Sequence, residues 1–162
     1  MKKIDSAYCE ALVKLLREKG LKTAAAESLT GGMVSELITS VAGASEILEC
    51  GICSYSNRIK HQLLGVSENT LETFTEYSIQ TAVEMAEGIR KLSGADIGVS
   101  TTGIAGPGGG TDEKPVGTVY IGISSKRGCT AQEFRFEGDR QSVRQQTAQK
   151  ALFFIIEEAE KL

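Results

Sequence analysis

Apolar positions recur along this chain at two spacings, one helical and one alternating, and the two interleave from end to end. Leu12, Val13, Leu15 and Leu16 share one helical face, behind Asp5 or Ser6 as a cap and ahead of Gly20 as a stop. Thr23 to Ala26 reads as a short buried strand. A helical pattern then runs from about Met33 to Val41, and Ile47 to Tyr55 reads as a second strand. Helical segments follow at Ile59–Leu64, Glu68–Phe74 and about Ser78–Leu92, before a third strand at Ile97–Thr101. Val116 to Ser124 alternates, with Val119, Ile121 and Ile123 on one face. Thr130 to Phe136 is a further strand, and Lys126-Arg127-Gly128 between the two predicts a hairpin. A last helix is expected from about Asp139 to Lys161, with Asp139 or Ser142 at its start and Phe153, Ile156 and Ala159 inward. Strands interleaved with helices predict an α/β fold around a mixed, mostly parallel sheet.

Length and composition narrow the classes. At 162 residues, 41% apolar and 24% charged, the chain is expected to form one domain over residues 1–162, neither disordered nor fibrous. The net charge of -3, from 18 basic and 21 acidic residues, argues against a nucleic-acid partner. The longest apolar run, Ala151–Ile156, falls well short of the roughly 18–20 residues that span a bilayer. Lys2 and Lys3 precede Ile4, Asp5 and Ser6 rather than an apolar stretch, so no signal peptide is expected. The expectation is a soluble cytoplasmic protein without a membrane partner.

Four cysteines include the pair Cys50-Gly51-Ile52-Cys53. Zinc would need more ligands than Cys9, Cys129 and the lone His61 add convincingly, and i and i+3 on a strand face opposite sides. Buried thiols are expected, with no metal and no cofactor.

Four segments carry candidate chemistry. Ala24 to Gly32 feeds a strand into a turn holding Ser28 and Thr30, then Gly31 and Gly32, then a helix. Amides at that helix start suit an anion or an oxyanion, while the plainer role of Ser28 or Thr30 is a helix cap. Gly103 to Thr111 is glycine-dense after a strand, but it is neither a Walker loop nor a dinucleotide fingerprint. It reads equally as a ligand-approaching loop or a flexible one. Ser54 to His61 offers hydroxyls, Lys60 and the chain's one histidine, or simply a solvated turn. Any serine nucleophile here must use His61 or a lysine as base. Gly138 to Arg144 places Arg140 and Arg144 four apart at a helix start, which suits a phosphate or an ordinary surface.

Together the segments form an ordered set: Ala26-Glu27-Ser28-Leu29-Thr30-Gly31-Gly32, Tyr55-Ser56-Asn57-x-x-Lys60, Thr102-Gly103-Ile104-Ala105-Gly106-Pro107-x-Gly109-Gly110, Lys114-Pro115-Val116-Gly117-Thr118-Val119 and Gly138-Asp139-Arg140-x-x-Val143-Arg144. The set resembles the C-terminal domain family of the competence/damage-inducible protein CinA, from about Leu12 to Leu152. The stand-alone form of that family is nicotinamide mononucleotide deamidase. The resemblance implies a three-layer α/β/α sandwich and hydrolysis of nicotinamide mononucleotide to nicotinic acid mononucleotide and ammonia, a step of pyridine nucleotide salvage. It implies Ser28 as nucleophile, Lys60 as general base and Tyr55 as assistant.

For the substrate, Thr30, Gly31, Gly32, Thr102, Gly103, Gly106, Arg140 and Arg144 are the expected binding residues. The partner is then a small nucleotide, with a homo-oligomer left open. A non-catalytic nucleotide-binding module of the same fold, or a hydrolase of another small amide, are the alternatives. Three segments depart from the family pattern: Leu29 stands for a frequent cysteine, Arg58-Ile59 for Glu-Ala, and Thr75-Glu76-Tyr77-Ser78 for Gly-Ala-Val-Ser. The pyrophosphatase-type N-terminal domain of two-domain members is expected to be absent.

A lysine base must lose its charge to act. Bringing its pKa from about 10.4 to roughly 7.5 costs about 4 kcal/mol, supplied by burial or nearby positive charge. A cationic pyridinium would assist, and it would also activate the carboxamide carbon.

Overall fold

The computed structural model describes residues 6–162. The cap expected at Asp5 lies outside the described residues. The chain runs α1 (Ser6–Lys19), β1 (Thr23–Glu27), α2 (Met33–Thr39), a 3-10 turn (Ala44–Glu46), β2 (Leu48–Cys53), α3 (Asn57–Leu64), α4 (Glu68–Phe74), α5 (Ile79–Ser93), β3 (Ile97–Gly103), β4 (Thr118–Ser125), β5 (Gly128–Arg135) and α6 (Arg140–Lys161).

The five strands form one sheet in the order β2-β1-β3-β4-β5. β1 pairs in parallel with both β2 and β3, whereas β4 runs antiparallel to both β3 and β5. Only β4 is therefore reversed, so the sheet is mixed with most strands pointing one way. The hairpin turns at Lys126-Arg127.

Each face of the sheet carries a helical layer. Ala25, Val99, Val119, Ile121 and Ile123 face a core with α1, α2 and α6, centred on Leu12, Leu16, Ile38, Leu152 and Ile155. Ala24 and Ala26 point the other way, toward Leu64, Met85 and Ile89 of α3 and α5. Alternate residues of one strand thus serve two cores, as the strand period of two requires. Small side chains let α5 lie close. A Cβ on Gly98 would collide with the Ala86 carbonyl, and one on Gly122 with the Ala82 carbonyl.

Several boundaries differ from the sequence pattern. α2 stops at Thr39, and Gly43 with φ 91° opens a separate 3-10 turn. In α6 it is Phe154, Ile155 and Ala159 that are buried, whereas Phe153 and Ile156 are only partly so. Asp139 caps that helix by accepting from the Ser142 amide at 2.8 Å. The expectation of buried thiols holds for Cys9. Cys50 and Cys129 are half-buried and Cys53 is exposed, because the edge strands β2 and β5 are only partly covered. Among the described residues no cluster of three potential metal ligands occurs, and no helix is long and apolar enough to cross a membrane.

Candidate active site

β1 delivers the chain into the turn that carries Ser28, and the residue before it shapes that turn. Glu27 is 1% exposed. Its carboxylate accepts the amides of Gly32 (3.0 Å), Val34 (2.9 Å) and Ser35 (2.9 Å), and also the Ser35 hydroxyl (2.8 Å). A buried acid is tolerated because these donors satisfy it, and its charge sits at the positive end of α2. Neither Ser28 nor Thr30 caps α2. The N-cap is Gly32 at φ 98°, and Glu27 supplies the acceptor oxygens. The amides expected to receive an anion there are occupied by the protein's own carboxylate.

The turn is held from its far side as well. Arg144 donates through Nε to the Leu29 carbonyl and through Nη2 to the Thr30 carbonyl, both at 2.9 Å. The Thr30 and Thr101 hydroxyls share a 2.7 Å hydrogen bond, and the Ser28 amide donates to the Thr101 carbonyl. Arg144 therefore braces the Ser28 turn instead of facing outward to a phosphate.

Lys60 reaches the same point from α3. Ser56 starts that helix by accepting from the Ile59 amide. Successive helical residues diverge by about 100°, so Lys60 turns inward while His61 turns away. The His61 Nδ1 lies 2.8 Å from the Val66 carbonyl oxygen, and its Nε2 lies 3.9 Å from Glu68. Lys60 is 1% exposed. Its Nζ donates to the Ser54 carbonyl (2.9 Å), to the Ser28 hydroxyl (3.2 Å) and to the Tyr55 carbonyl (3.4 Å). Among the described residues no carboxylate lies within 4 Å of it. Burial among neutral acceptors pulls its pKa down to about 8, against a smaller upward pull from Glu76.

The pair opens into a cleft of about 130 Å³ walled by Tyr55, Asn57, Glu76, Tyr77, Arg140 and the glycine-rich segment 103–109. Tyr55 is 64% exposed, and its hydroxyl accepts from Arg140 Nη2 at 3.3 Å. The other terminal nitrogen of Arg140, Nη1, donates to the Gly106 carbonyl at 2.8 Å.

The structure thus brings Ser28, Lys60, Tyr55, Gly103, Gly106 and Arg140 together at one cleft. The other expected substrate contacts lie off it. Thr30, Gly31 and Gly32 form the internally bonded turn. Thr102 is buried, with its hydroxyl donated to the Glu76 carbonyl at 2.6 Å.

Sequence reasoning missed Glu27 as the brace of α2, and Glu76 and Tyr77 as cleft walls. The one signal for the latter pair was the departure from Gly-Ala-Val-Ser. Their turn is strongly held. Thr75 sits at φ 69°, and Lys114 Nζ donates to the Tyr77 carbonyl at 2.5 Å and to the Phe74 carbonyl at 3.3 Å. Burial, then the charge of Glu76 and the neighbouring Tyr55, push the Tyr77 phenol up.

Fold and site define a three-layer α/β/α domain whose parallel strand ends enclose a buried serine–lysine pair. Solved structures share the fold. A competence/damage-inducible protein from Agrobacterium tumefaciens superposes with a TM-score of 0.93 at 36% identity, covering 97% of this chain and 96% of that one. A CinA superfamily protein from Klebsiella pneumoniae 700603 also gives 0.93, at 28% identity, covering 99% and 100%. The chain belongs to the CinA C-terminal domain family, whose model matches residues 5–159. Among curated relatives, putative competence-damage inducible proteins of Thermoanaerobacter sp. (strain X514) and Clostridium tetani are 48% and 49% identical over 146 and 152 residues, 90% and 93% of this chain. The chain spans 35% and 37% of the length of those two proteins.

Proposed function

We propose that this domain is an amidohydrolase that converts nicotinamide mononucleotide to nicotinic acid mononucleotide and ammonia. The observation that carries the reading is the buried Lys60 amine 3.2 Å from the Ser28 hydroxyl. With a pKa of about 8, about a tenth of Lys60 is neutral at pH 7. A neutral amine at that distance takes the hydroxyl proton as Ser28 Oγ attacks the carboxamide carbon. The resulting Lys60 ammonium returns the proton to the leaving nitrogen, and ammonia departs from a covalent acyl-serine. Water then attacks the acyl carbon, Lys60 again takes a proton, and the Ser28 hydroxyl is restored as the acid leaves.

The cleft volume of about 130 Å³ is below the roughly 300–1,000 Å³ of sites that enclose a drug-sized ligand. It suits the ring and its carboxamide, with the ribose phosphate at the mouth beside Arg140. The resemblance to the deamidases supplies the named substrate. Ammonia release from nicotinamide mononucleotide by the purified protein is the test. A preparation that is folded and yields neither ammonia nor the acid overturns the reading.

A further inference from the structure

Glu76 is absent from the family pattern read in the sequence, yet it stands in the cleft. Among the described residues no lysine or arginine nitrogen lies within 4 Å of its carboxylate. Asn57 Nδ2 reaches it at a long 3.5 Å, and the Tyr77 phenol lies beside it. The backbone that carries it is fixed at three consecutive residues. The Thr75 carbonyl accepts from the Thr81 hydroxyl (2.7 Å), the Glu76 carbonyl from Thr102 (2.6 Å) and the Tyr77 carbonyl from Lys114 (2.5 Å). Thr75 holds a positive φ that a side chain beyond glycine disfavours. A half-buried carboxylate, anchored this firmly and with no cation in direct contact among the described residues, is an acceptor in wait for one.

We propose that Glu76 is a specificity-determining residue, selecting carboxamides borne on a cationic ring over the same amide on a neutral ring. The proposal rests on the amidohydrolase reading and assigns the substrate class of that site. The charges of the cleft explain the need. Among the described residues Lys60 and Arg140 are its cationic side chains, and both oppose entry of a pyridinium. When Lys60 is neutral for attack and Arg140 faces the phosphate, Glu76 and the ring form the remaining pair of opposite charges. Two unit charges about 5 Å apart at an effective dielectric near 20 interact strongly enough for at least a tenfold preference after solvent screening.

The test measures binding in the Ser28→Ala variant of the 162-residue chain, which holds ligand without turnover. The probes are oxidised and reduced nicotinamide mononucleotide, which share amide, ribose and phosphate and differ in ring charge. With Glu76 present, the oxidised form should bind about tenfold more tightly than the reduced form. Glu76→Gln should lose that preference by weakening the oxidised form alone, and Glu76→Asp should restore part of it. Equal weakening of both forms assigns Glu76 a structural role and overturns the proposal, as does an unchanged preference or failure of both forms to bind. The ratio is taken within each variant, so altered folding does not mimic loss of selectivity. If the parent releases no ammonia yet keeps a Glu76-dependent preference, the amidohydrolase reading falls and charge selection by Glu76 stands.

Discussion

Replacing Lys60 with methionine tests the site through stability as well as catalysis. A pKa of about 8 in the fold against 10.5 for an ordinary lysine makes the charged amine about 3 kcal/mol less favourable in the fold, at about 1.36 kcal/mol per pH unit. The sign follows from proton binding. Between pH 8 and 10.5 the unfolded chain holds the proton and the folded chain does not, so parent stability rises with pH across that window. Below pH 8 the whole penalty applies, and above 10.5 it is gone. Lys60→Met has no such group.

The stability gap, variant minus parent, should therefore shrink by about 3 kcal/mol from pH 7 to pH 10.5. Its absolute position is set separately, because methionine leaves the Ser54 and Tyr55 carbonyls short of a donor at about 1–3 kcal/mol. Urea unfolding of both proteins at matched pH reads the gap. Groups with raised pKa, Tyr120 at about 12 together with Tyr77 and Cys53, lower stability as pH rises in both chains and cancel in the difference. Activity should vanish in Lys60→Met and persist in His61→Ala. Parent kcat/KM should climb with pH to a plateau, with a midpoint near 8. Parallel stability curves would refute the depressed amine, and with it the base.

Two further outcomes follow from the same contacts. Ser28→Ala should abolish deamidation while shifting stability by less than about 1 kcal/mol, since one hydrogen bond is lost; a rate within a few-fold of the parent in an ammonia-release assay would remove it as nucleophile. Arg140→Ala should raise KM much more than it lowers kcat, as a phosphate contact shared by ground and transition states does, whereas Arg144→Ala should lower kcat and lose about 1–3 kcal/mol in urea melts by freeing the Leu29 and Thr30 carbonyls. The reverse pattern in steady-state kinetics would return the phosphate to Arg144.

The strands and the longer helices were legible because burial writes its period directly into the sequence. Val119, Ile121 and Ile123 alternate, and Leu12 and Leu16 lie four apart. The Ser28–Lys60 pairing was legible only as a resemblance, since nothing local says that α3 turns Lys60 toward β1. The two arginines show the limit. Arg140 and Arg144 are equivalent by spacing and charge, and only the fold places one beside Gly106 and the other beneath Leu29. Glu27 was hidden for a related reason: a carboxylate at a strand end reads as solvated until the amides of α2 fold over it.

Glu27 also decides where an oxyanion would be received. With the Gly32, Val34 and Ser35 amides committed to its carboxylate, the start of α2 has no donors to spare there. The opposite wall is the glycine-rich segment after β3. Glu27 pairs in register with Thr101, so β3 continues past the end of β1, and the glycine-rich segment that follows lines the same cleft as Ser28. β1, β2 and β3 are parallel, and all three end at this edge. α2 leaves β1 toward one face of the sheet, whereas α3 and α5 pack on the other. Divergence of that kind opens a crevice at the carboxyl ends of parallel strands, where α/β sheets bind ligands. The same topology thus sets Ser28 after β1, Lys60 after β2 and the glycine wall after β3, so one fold feature brings all three to a single cleft.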